Sequence, residues 1–289
     1  VRAAQYNIAA NEAENVTLVR ASSAEIADAL AGRTALKRMK DIDLASYRFS
    51  TLFVDPPRSG LDATTPEQLA GQIRDALAVL ADPARAVPMR AYMRDRFPFL
   101  GIQTPVRRAV LRPLLKVNFD QKLLLTTAAL LYDLPEREFR YAASDLLARH
   151  VGRLDVNAVG PLLALVQRDP WWDTVDGLAG IVGDVVHAAR RNDPDVQAMM
   201  DAALRHESLW VRRIAMIHQL GWRLETDTAR LFGYAATLAP EGDFFIRKAI
   251  GWALRDYARW NPQAVRDFVA EMGGRLSPLS AREATRRMT

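Results

Sequence analysis

The stretch "LWVRRIA", residues 209–215, decides the fold because related stretches recur along the chain. "EFRYAA" and "FFIRKAI" also place an aromatic residue close to an arginine at the start of a helical pattern. Phe245 follows Trp210 by 35 residues, and Trp210 follows Phe139 by 71 residues, about twice that interval. A repeat missing from this series would begin near residue 174. Periods of about 35–45 residues are typical of solenoids built from paired helices.

From Thr65 onward the chain is predicted to be helical throughout. Leu69, Ile73 and Leu77 recur at helical spacing after a Thr-Pro start signal. The further stretches predicted to be helical are "TPVRRAVLRPLLK", "LPEREFRYAASDLLARH", "DPWWDTVDGLAGIVGDVVHAAR", "SLWVRRIAMIHQLG", "TDTARLFGYAATLA", "EGDFFIRKAIGWALRDYARW" and "NPQAVRDFVAEM". We therefore predict a mainly α protein, a HEAT-like helical-repeat superhelix, over residues 63–289. Stacked pairs curve, so we expect the second helices to line a concave face that carries the functional site.

The first 62 residues have a different pattern, typical of a short α/β fragment. "VTLVR" is predicted to be a strand between two helices, and "RFSTLFVDPPRSGLD" is a β-rich run that ends where prolines stop it. A slice of this size cannot bury both faces of a sheet. We expect residues 1–62 to pack loosely on the first helices or to be poorly ordered, and limited proteolysis to cut near residues 59–65.

The net charge of +5 lies wholly in the second part of the chain. Residues 1–62 hold 8 Lys and Arg against 8 Asp and Glu, whereas residues 63–289 hold 31 against 26. Arginine greatly outnumbers lysine there, which favours bidentate contacts to phosphate. The excess is modest, so nucleic acid and simple solubility both remain explanations.

The composition also excludes several classes of site. The chain has no cysteine, so disulfides, thiolate metal sites and cysteine nucleophiles are excluded. Its four histidines show no paired metal-ligand spacing, and we expect neither a metal nor a cofactor. No apolar run approaches the roughly 18–20 residues of a membrane span, and the first residues lack the regions of a signal peptide. We expect a cytoplasmic protein with no membrane partner.

The segment "RDPWWDTVDGLAGIVGD" raises the question of why two tryptophans stand side by side. We predict a helix with Asp169 as N-cap and Pro170 as first helical residue. Trp171 then begins an apolar stripe with Val175, Leu178 and Val182, which makes it the core residue of the pair. The other carboxylate of the segment, Asp173, is expected on the surface, solvated or capping.

Trp172 and Asp176 lie one turn apart on a neighbouring face of this helix. One interpretation is an indole and a carboxylate directed at a ligand. The other is a half-buried packing indole and a solvated or salt-bridged acid, and spacing alone favours this second interpretation.

Two further segments carry cations at helical spacing. "FFIRKAIGWALRDYA" places Lys248 four residues before Trp252 and Arg255 three residues after it. "LWVRRIAMIHQL" places Arg212 and Arg213 at a helix start, where amides and guanidinium groups can share a phosphate. Salt bridging between helices explains the arginine pair equally well.

Six stretches resemble the AlkD-type DNA alkylation repair glycosylases, in order from about Pro66 to Ala284. They are "MRAYMRDRFPFLGIQTPVRR", "LYDLPEREFRYAASDLL", "WWDTVD", "LWVRRIAMIHQL", "DFFIRKAIGWALRDYARWNP" and "RLSPLSAREA". The resemblance implies a HEAT-like superhelix with a basic concave face for duplex DNA. It also implies excision of positively charged alkylated bases, chiefly 3- and 7-alkylpurines, with no metal. The implied partner is double-stranded DNA with alkylated bases, bound by a monomer that is nucleoid-associated in a bacterial cytoplasm.

The resemblance also implies roles for individual residues. Asp176 corresponds to the catalytic carboxylate, Trp172 and Trp252 to the indoles that hold the lesion deoxyribose, and Arg213 to the arginine that grips the backbone. Residues that correspond to positions near the damaged pair or its phosphates are Tyr92, Gln103, Phe244, Phe245, Arg107 and Arg108. Arg212, Lys248 and Arg255 complete the expected DNA-binding set. The sequence near Gly221 lacks a basic residue that the family often has, which puts a phosphate contact there in doubt.

The first 62 residues resemble the catalytic domain of TrmA-type tRNA (uracil-5-)methyltransferases, through "AAQYNIAANEAENV" and "FVDPPRSGLD". The resemblance implies chemistry that needs a nucleophilic cysteine and a Gly-rich cofactor loop, and neither is present, so we expect an inactive fragment. The function predicted for the chain is a DNA-alkylpurine glycosylase. The alternative is a non-catalytic HEAT-like module that binds DNA or protein.

Overall fold

The computed structural model describes residues 65–116 and 119–286, and these residues form thirteen α-helices and no strand. The helices are α1 Pro66–Ala78, α2 Pro83–Tyr92, α3 Thr104–Leu111, α4 Gln121–Tyr132, α5 Arg137–Arg149, α6 Val159–Val166, α7 Trp172–Ala189, α8 Ala198–Ala203, α9 Leu209–Ile217, α10 Thr228–Leu238, α11 Phe244–Tyr257, α12 Pro262–Met272 and α13 Pro278–Thr285. Short 3₁₀ turns cover 114–116, 151–153, 156–158, 194–197, 223–225 and 273–275.

The chain divides into two units between Thr64 and Thr65, and the description below concerns the second unit. The helices and the strand predicted over residues 1–62 lie outside the described residues. None of the described helices is long and apolar enough to cross a membrane.

Helices pair in sequence, and the second helix of each pair stacks on the second helix of the next. The pairs are α4/α5, α6/α7, α8/α9, α10/α11 and α12/α13, and α5, α7, α9, α11 and α13 form the continuous stack. These five helices begin 34 to 37 residues apart. The predicted helical-repeat fold is therefore confirmed, and α7 is the repeat that the spacing placed near residue 174.

Side-chain caps start many of these helices. Thr65 and Gln68 form a reciprocal capping box ahead of α1, each side chain bonding the other's backbone amide. Asp120, Asp227 and Asn261 cap α4, α10 and α12 in the same direction. The helices that the sequence analysis left out include α4 and α6. Both are apolar around most of their circumference, so they show little of the amphipathic period that marks the others.

Two glycines let the stacked helices approach closely. A Cβ atom added to Gly183 of α7 would lie 2.0 Å from the carbonyl oxygen of His218, directly after α9. One added to Gly251 of α11 would lie 2.5 Å from Cβ of Glu283 on α13. Since real Cβ contacts are never this short, only glycine permits these approaches. They bring side chains of all four helices to one place.

The start of α7 differs from the prediction. Asp169 has a positive φ of 43°, Trp171 is the extended N-cap residue, and the helix begins at Trp172. The predicted N-cap Asp169 and first helical residue Pro170 are therefore wrong. The reason is that Asp169 is bound elsewhere: Arg137 donates to its carbonyl oxygen at 2.9 Å and Arg140 to its carboxylate at 2.8 Å.

Candidate active site

A cavity of about 280 Å³ opens among α7, α9, α11 and α13. Its lining residues are Trp172, Asp176, Arg213, Phe244, Phe245, Lys248, Trp252, Arg255 and Glu283. All but Glu283 are among the predicted site residues, and they come from segments more than 100 residues apart in the chain. The second helices of the pairs therefore supply the site, as the repeat pattern predicts.

Asp176 is held in this cavity by a two-pronged ion pair with Arg213. Nε of Arg213 donates to Oδ1 of Asp176 at 2.8 Å, and Nη2 donates to Oδ2 at 2.9 Å. Nη1 of Arg213 donates to the carbonyl oxygen of Phe245 at 2.6 Å. The guanidinium group is buried, whereas the Asp176 side chain keeps 20% of its surface exposed. The carboxylate is therefore fixed in orientation and still open to the cavity.

Burial raises the pKa of Asp176 above its usual range. The hydrogen bonds and the positive charge of Arg213 lower this pKa, and the nearby negative charge of Asp173 raises it. Removal from water outweighs the salt bridge here because a partly dry cavity disfavours the charged form.

The two tryptophans of "WWDTVD" contact different surroundings. Trp171 packs against Trp210, with ring centroids 5.7 Å apart, and against Phe245 at 4.9 Å. Trp172 is half-buried, lines the cavity with Asp176, and meets the ring edge of Tyr92 at 6.1 Å. Trp252 from α11 is also half-buried and lines the same cavity. Two indoles therefore share a cavity with one carboxylate.

Glu283 is the lining residue that the sequence analysis missed. Nζ of Lys248 donates to its Oε1 at 3.0 Å, and Nη1 of Arg255 donates to its Oε2. The hydrogen bond from Lys248, followed by its charge and by Arg255, holds the pKa of Glu283 below its usual range. The partners lie 35 and 28 residues away in the chain, so no local spacing could reveal them.

A second cavity of about 530 Å³ lies beside the first, and Trp172 lines both. Tyr92, Arg107 and Arg108 are among its lining residues. Arg107 is buried, and both arginines bind Asp145 of α5, at 3.1 and 2.9 Å. These predicted residues thus lie near the indole but outside the Asp176 cavity.

Two predicted residues line neither cavity. Gln103 is exposed and precedes α3 without capping it by its side chain. Arg212 forms a two-pronged ion pair with Glu241, at 2.8 and 2.9 Å, and donates to two backbone carbonyls. Interhelical salt bridging, the alternative for the Arg212-Arg213 pair, is what the structure shows for both residues.

Asp173 is buried, so the expectation of a solvated or capping residue is wrong. Its carboxylate accepts two hydrogen bonds from Arg137 at 2.8 Å and one from the Tyr141 hydroxyl at 2.6 Å. The Arg137 side chain is fully buried, and its guanidinium carbon lies 3.8 Å from the centroid of the Phe97 ring. This network ties the first turn of α7 to α5. In the described part of the chain, no group of three or more His, Asp or Glu side chains is placed to hold a metal ion.

Comparison with known proteins distinguishes the two parts of the chain. Residues 73–288 match the sequence model of a family described as DNA alkylation repair enzyme. A solved structure described as a predicted DNA alkylation repair enzyme from Enterococcus faecalis is 32% identical, with a TM-score of 0.67. The similarity covers 72% of this chain and 96% of that one.

Residues 1–84 match the model of the tRNA (uracil-5-)-methyltransferase family. The tRNA/tmRNA (uracil-C(5))-methyltransferases of Azoarcus sp. and Dechloromonas aromatica are 55% and 65% identical over 95 and 71 residues, which are 33% and 25% of this chain. The chain spans only 26% and 20% of the length of these relatives. The resemblance of the first part is therefore confirmed as a fragment, and its match extends further along the chain than residue 62.

Proposed function

The chain belongs to the family of DNA alkylation repair enzymes, and from that premise we propose that it is a DNA glycosylase. A role in DNA repair follows from the family. The proposed reaction is hydrolysis of the N-glycosidic bond of cationic alkylated bases, chiefly 3- and 7-alkylpurines, in duplex DNA. The enzyme acts as a monomer and uses neither metal nor cofactor.

The observation that carries this proposal is the placement of Asp176. Its carboxylate lies in a cavity whose walls include the indoles of Trp172 and Trp252, and Arg213 holds it in one orientation. A purely structural ion pair needs neither a cavity nor two indoles. A site for a positively charged sugar needs both a negative charge and polarisable walls.

The chemistry that suits this arrangement needs no general acid. An alkylated purine already carries positive charge, so the bond from C1′ to the base nitrogen breaks with its electron pair going to the base, which leaves neutral. The sugar becomes an oxocarbenium-like cation, and water then forms the new bond to C1′ and releases a proton. Asp176 stabilises the cation electrostatically and orients the water.

The two indoles add a further attraction to the sugar cation. A cation over an indole face gains about 0.5–2 kcal/mol, depending on how far it is removed from water. Trp172 and Trp252 are both half-buried in the cavity wall, so water is partly excluded there. Both indoles stabilise the transition state more than the neutral sugar, and they therefore act on the rate.

Arg213 has a positioning role in this proposal. Nε, Nη1 and Nη2 all donate hydrogen bonds within the protein, so the guanidinium group orients Asp176 rather than a phosphate. Backbone contacts then fall to more exposed groups near the two cavities. Those proposed are Tyr92, Gln103, Arg107, Arg108, Arg212, Phe244, Phe245, Lys248 and Arg255.

A non-catalytic DNA- or protein-binding module is the second candidate. It is favoured by the Asp176–Arg213 pair, whose two-pronged geometry matches that of Arg212 and Glu241, a pair that lines no cavity. In that case Asp176 would hold α7 to α9 and do no chemistry.

Single-turnover release of 7-methylguanine from duplex DNA distinguishes the two functions. The intact chain is compared with Asp176→Asn, and binding of the same duplex is measured in parallel. The glycosylase predicts release by the intact chain and a loss of at least about 100-fold in the variant, the size typical of removing an electrostatic stabiliser. Binding by both proteins with release by neither would establish the binding module.

A further inference from the structure

A third cavity, of about 160 Å³, lies on the other side of Trp252 from the Asp176 cavity. It is lined by Trp252, Arg255, Asp256, Arg259 and Arg286. We propose that this cavity is a subsite for one backbone phosphate of the DNA strand whose sugar enters the Asp176 cavity. The proposal rests on the proposed function, because it places the same strand in both cavities.

The donors of Arg259 and Arg286 are open to a ligand. Their side chains are 63% and 67% exposed, and each meets a carboxylate only at 3.9 Å, beyond hydrogen-bond distance. Neither donates a hydrogen bond to a described residue. Arg213, by contrast, is 5% exposed and bound at 2.8 Å. The two exposed guanidinium groups are therefore available, whereas the buried one is committed.

The charge around this cavity favours an anion. Lys248, Arg255, Arg259 and Arg286 supply four positive charges against the two negative charges of Asp256 and Glu283. Asp256 is itself engaged, because the backbone amide of Gly221 donates to its Oδ2 at 2.8 Å. Glu283 is engaged by Lys248 and Arg255. The unneutralised charge therefore rests on Arg259 and Arg286.

The position of the cavity suits the covalent structure of DNA. Trp252 and Arg255 line both this cavity and the Asp176 cavity. Every deoxyribose within a strand carries one phosphate at its 5′ oxygen and another at its 3′ oxygen. A sugar held against one face of the Trp252 region thus brings a phosphate to its rim, where guanidinium groups can bind it in a two-pronged manner.

The first test measures the salt dependence of binding to an undamaged duplex. Arg259→Ala/Arg286→Ala is compared with the intact chain and with the control Arg266→Ala, an exposed arginine of α12 whose guanidinium group contacts only Gln263. Loss of a phosphate contact lowers the slope of log affinity against log salt by about 1. The proposal predicts this change in the double variant and an unchanged slope in the control.

The second test locates the phosphate. A duplex with one tetrahydrofuran abasic site carries a neutral methylphosphonate in place of the phosphate on its 5′ or its 3′ side. At one of the two positions, the methylphosphonate should weaken binding by the intact chain and have little effect on the double variant. The absence of such coupling at both positions would overturn the proposal, as would equal slopes for the double variant and the control.

These readouts separate the subsite from the proposed reaction, because neither measures base release. Coupling at one phosphate together with no release of 7-methylguanine would leave the subsite in place and remove the glycosylase function. Release of 7-methylguanine without any coupling would do the reverse. If the intact chain binds no duplex DNA, both are wrong.

Discussion

Asp173 and Asp176 stand three residues apart on α7, each bound by an arginine from a neighbouring inner helix, and yet their environments differ. Asp173 binds Arg137 of α5 and the Tyr141 hydroxyl, and its side chain is 5% exposed. Asp176 binds Arg213 of α9, and its side chain is 20% exposed and faces a cavity. The same two-pronged chemistry thus serves structure at one position and leaves an accessible carboxylate at the other.

The difference comes from what covers each ion pair. Phe97 and the Tyr141 hydroxyl close the Arg137–Asp173 pair, so that no ligand can approach it. The Arg213–Asp176 pair is covered on one side only, since the cavity lies on the other. In the described residues, accessibility rather than pairing therefore distinguishes the site carboxylate from the structural one.

The largest predicted effect concerns the covered pair. Arg137→Ala should lower the free energy of unfolding by about 3–5 kcal/mol, because it leaves the buried Asp173 charge without its partner. Arg213→Ala should cost less, since water in the cavity can reach Asp176. Urea unfolding of the two variants measures both losses. Equal losses would show that Asp176 is as enclosed as Asp173 and would remove the contrast.

The next effect concerns the indoles. Trp172→Ala and Trp252→Ala should each slow single-turnover base release by about 2- to 30-fold, the rate equivalent of roughly 0.5–2 kcal/mol of cation–π attraction. Trp260→Ala, an exposed tryptophan outside the cavity, is the matched control and should leave the rate unchanged. If the control slows release as much as the cavity variants do, the effect does not come from the site.

The smallest effect is a shift in pH dependence. Burial raises the pKa of Asp176, so protonation begins at a higher pH than for an ordinary aspartate, with its pKa of about 3.9. Because only the ionised carboxylate stabilises a cation, the rate of base release should fall as pH decreases through this raised pKa. The profile of single-turnover rate against pH should therefore have its acid midpoint above that of an exposed aspartate. A rate independent of pH throughout the acid range would contradict an ionised Asp176 in the mechanism.

Much of the fold was predictable because it repeats. The aromatic residues Phe139, Trp210 and Phe245 set the period, and α7 begins where that period places it. The start of α7 was not predictable, since Arg137 and Arg140 engage Asp169 from another repeat. Cap signals describe local preferences, and here contacts distant in sequence outweigh them.

The site was predictable in part. The family resemblance supplied Trp172, Asp176 and Trp252, which the structure brings to one cavity, although helical spacing alone favoured a packing role. Glu283 and the burial of Asp173 escaped prediction because their partners lie 28 to 36 residues away. Helical phase shows which side chains share a face, but it does not show what covers that face.

The most direct test of the account compares Asp173→Asn with Asp176→Asn in two assays, base release and urea unfolding. Asp176→Asn should lose at least about 100-fold in the single-turnover rate of 7-methylguanine release while it still binds duplex DNA. Asp173→Asn should lose about 3–5 kcal/mol of stability and, where it remains folded, release base at a rate close to that of the intact chain. Release at the intact rate by Asp176→Asn, or equal rate losses in the two folded variants, would contradict the assignment of Asp176 as the site carboxylate.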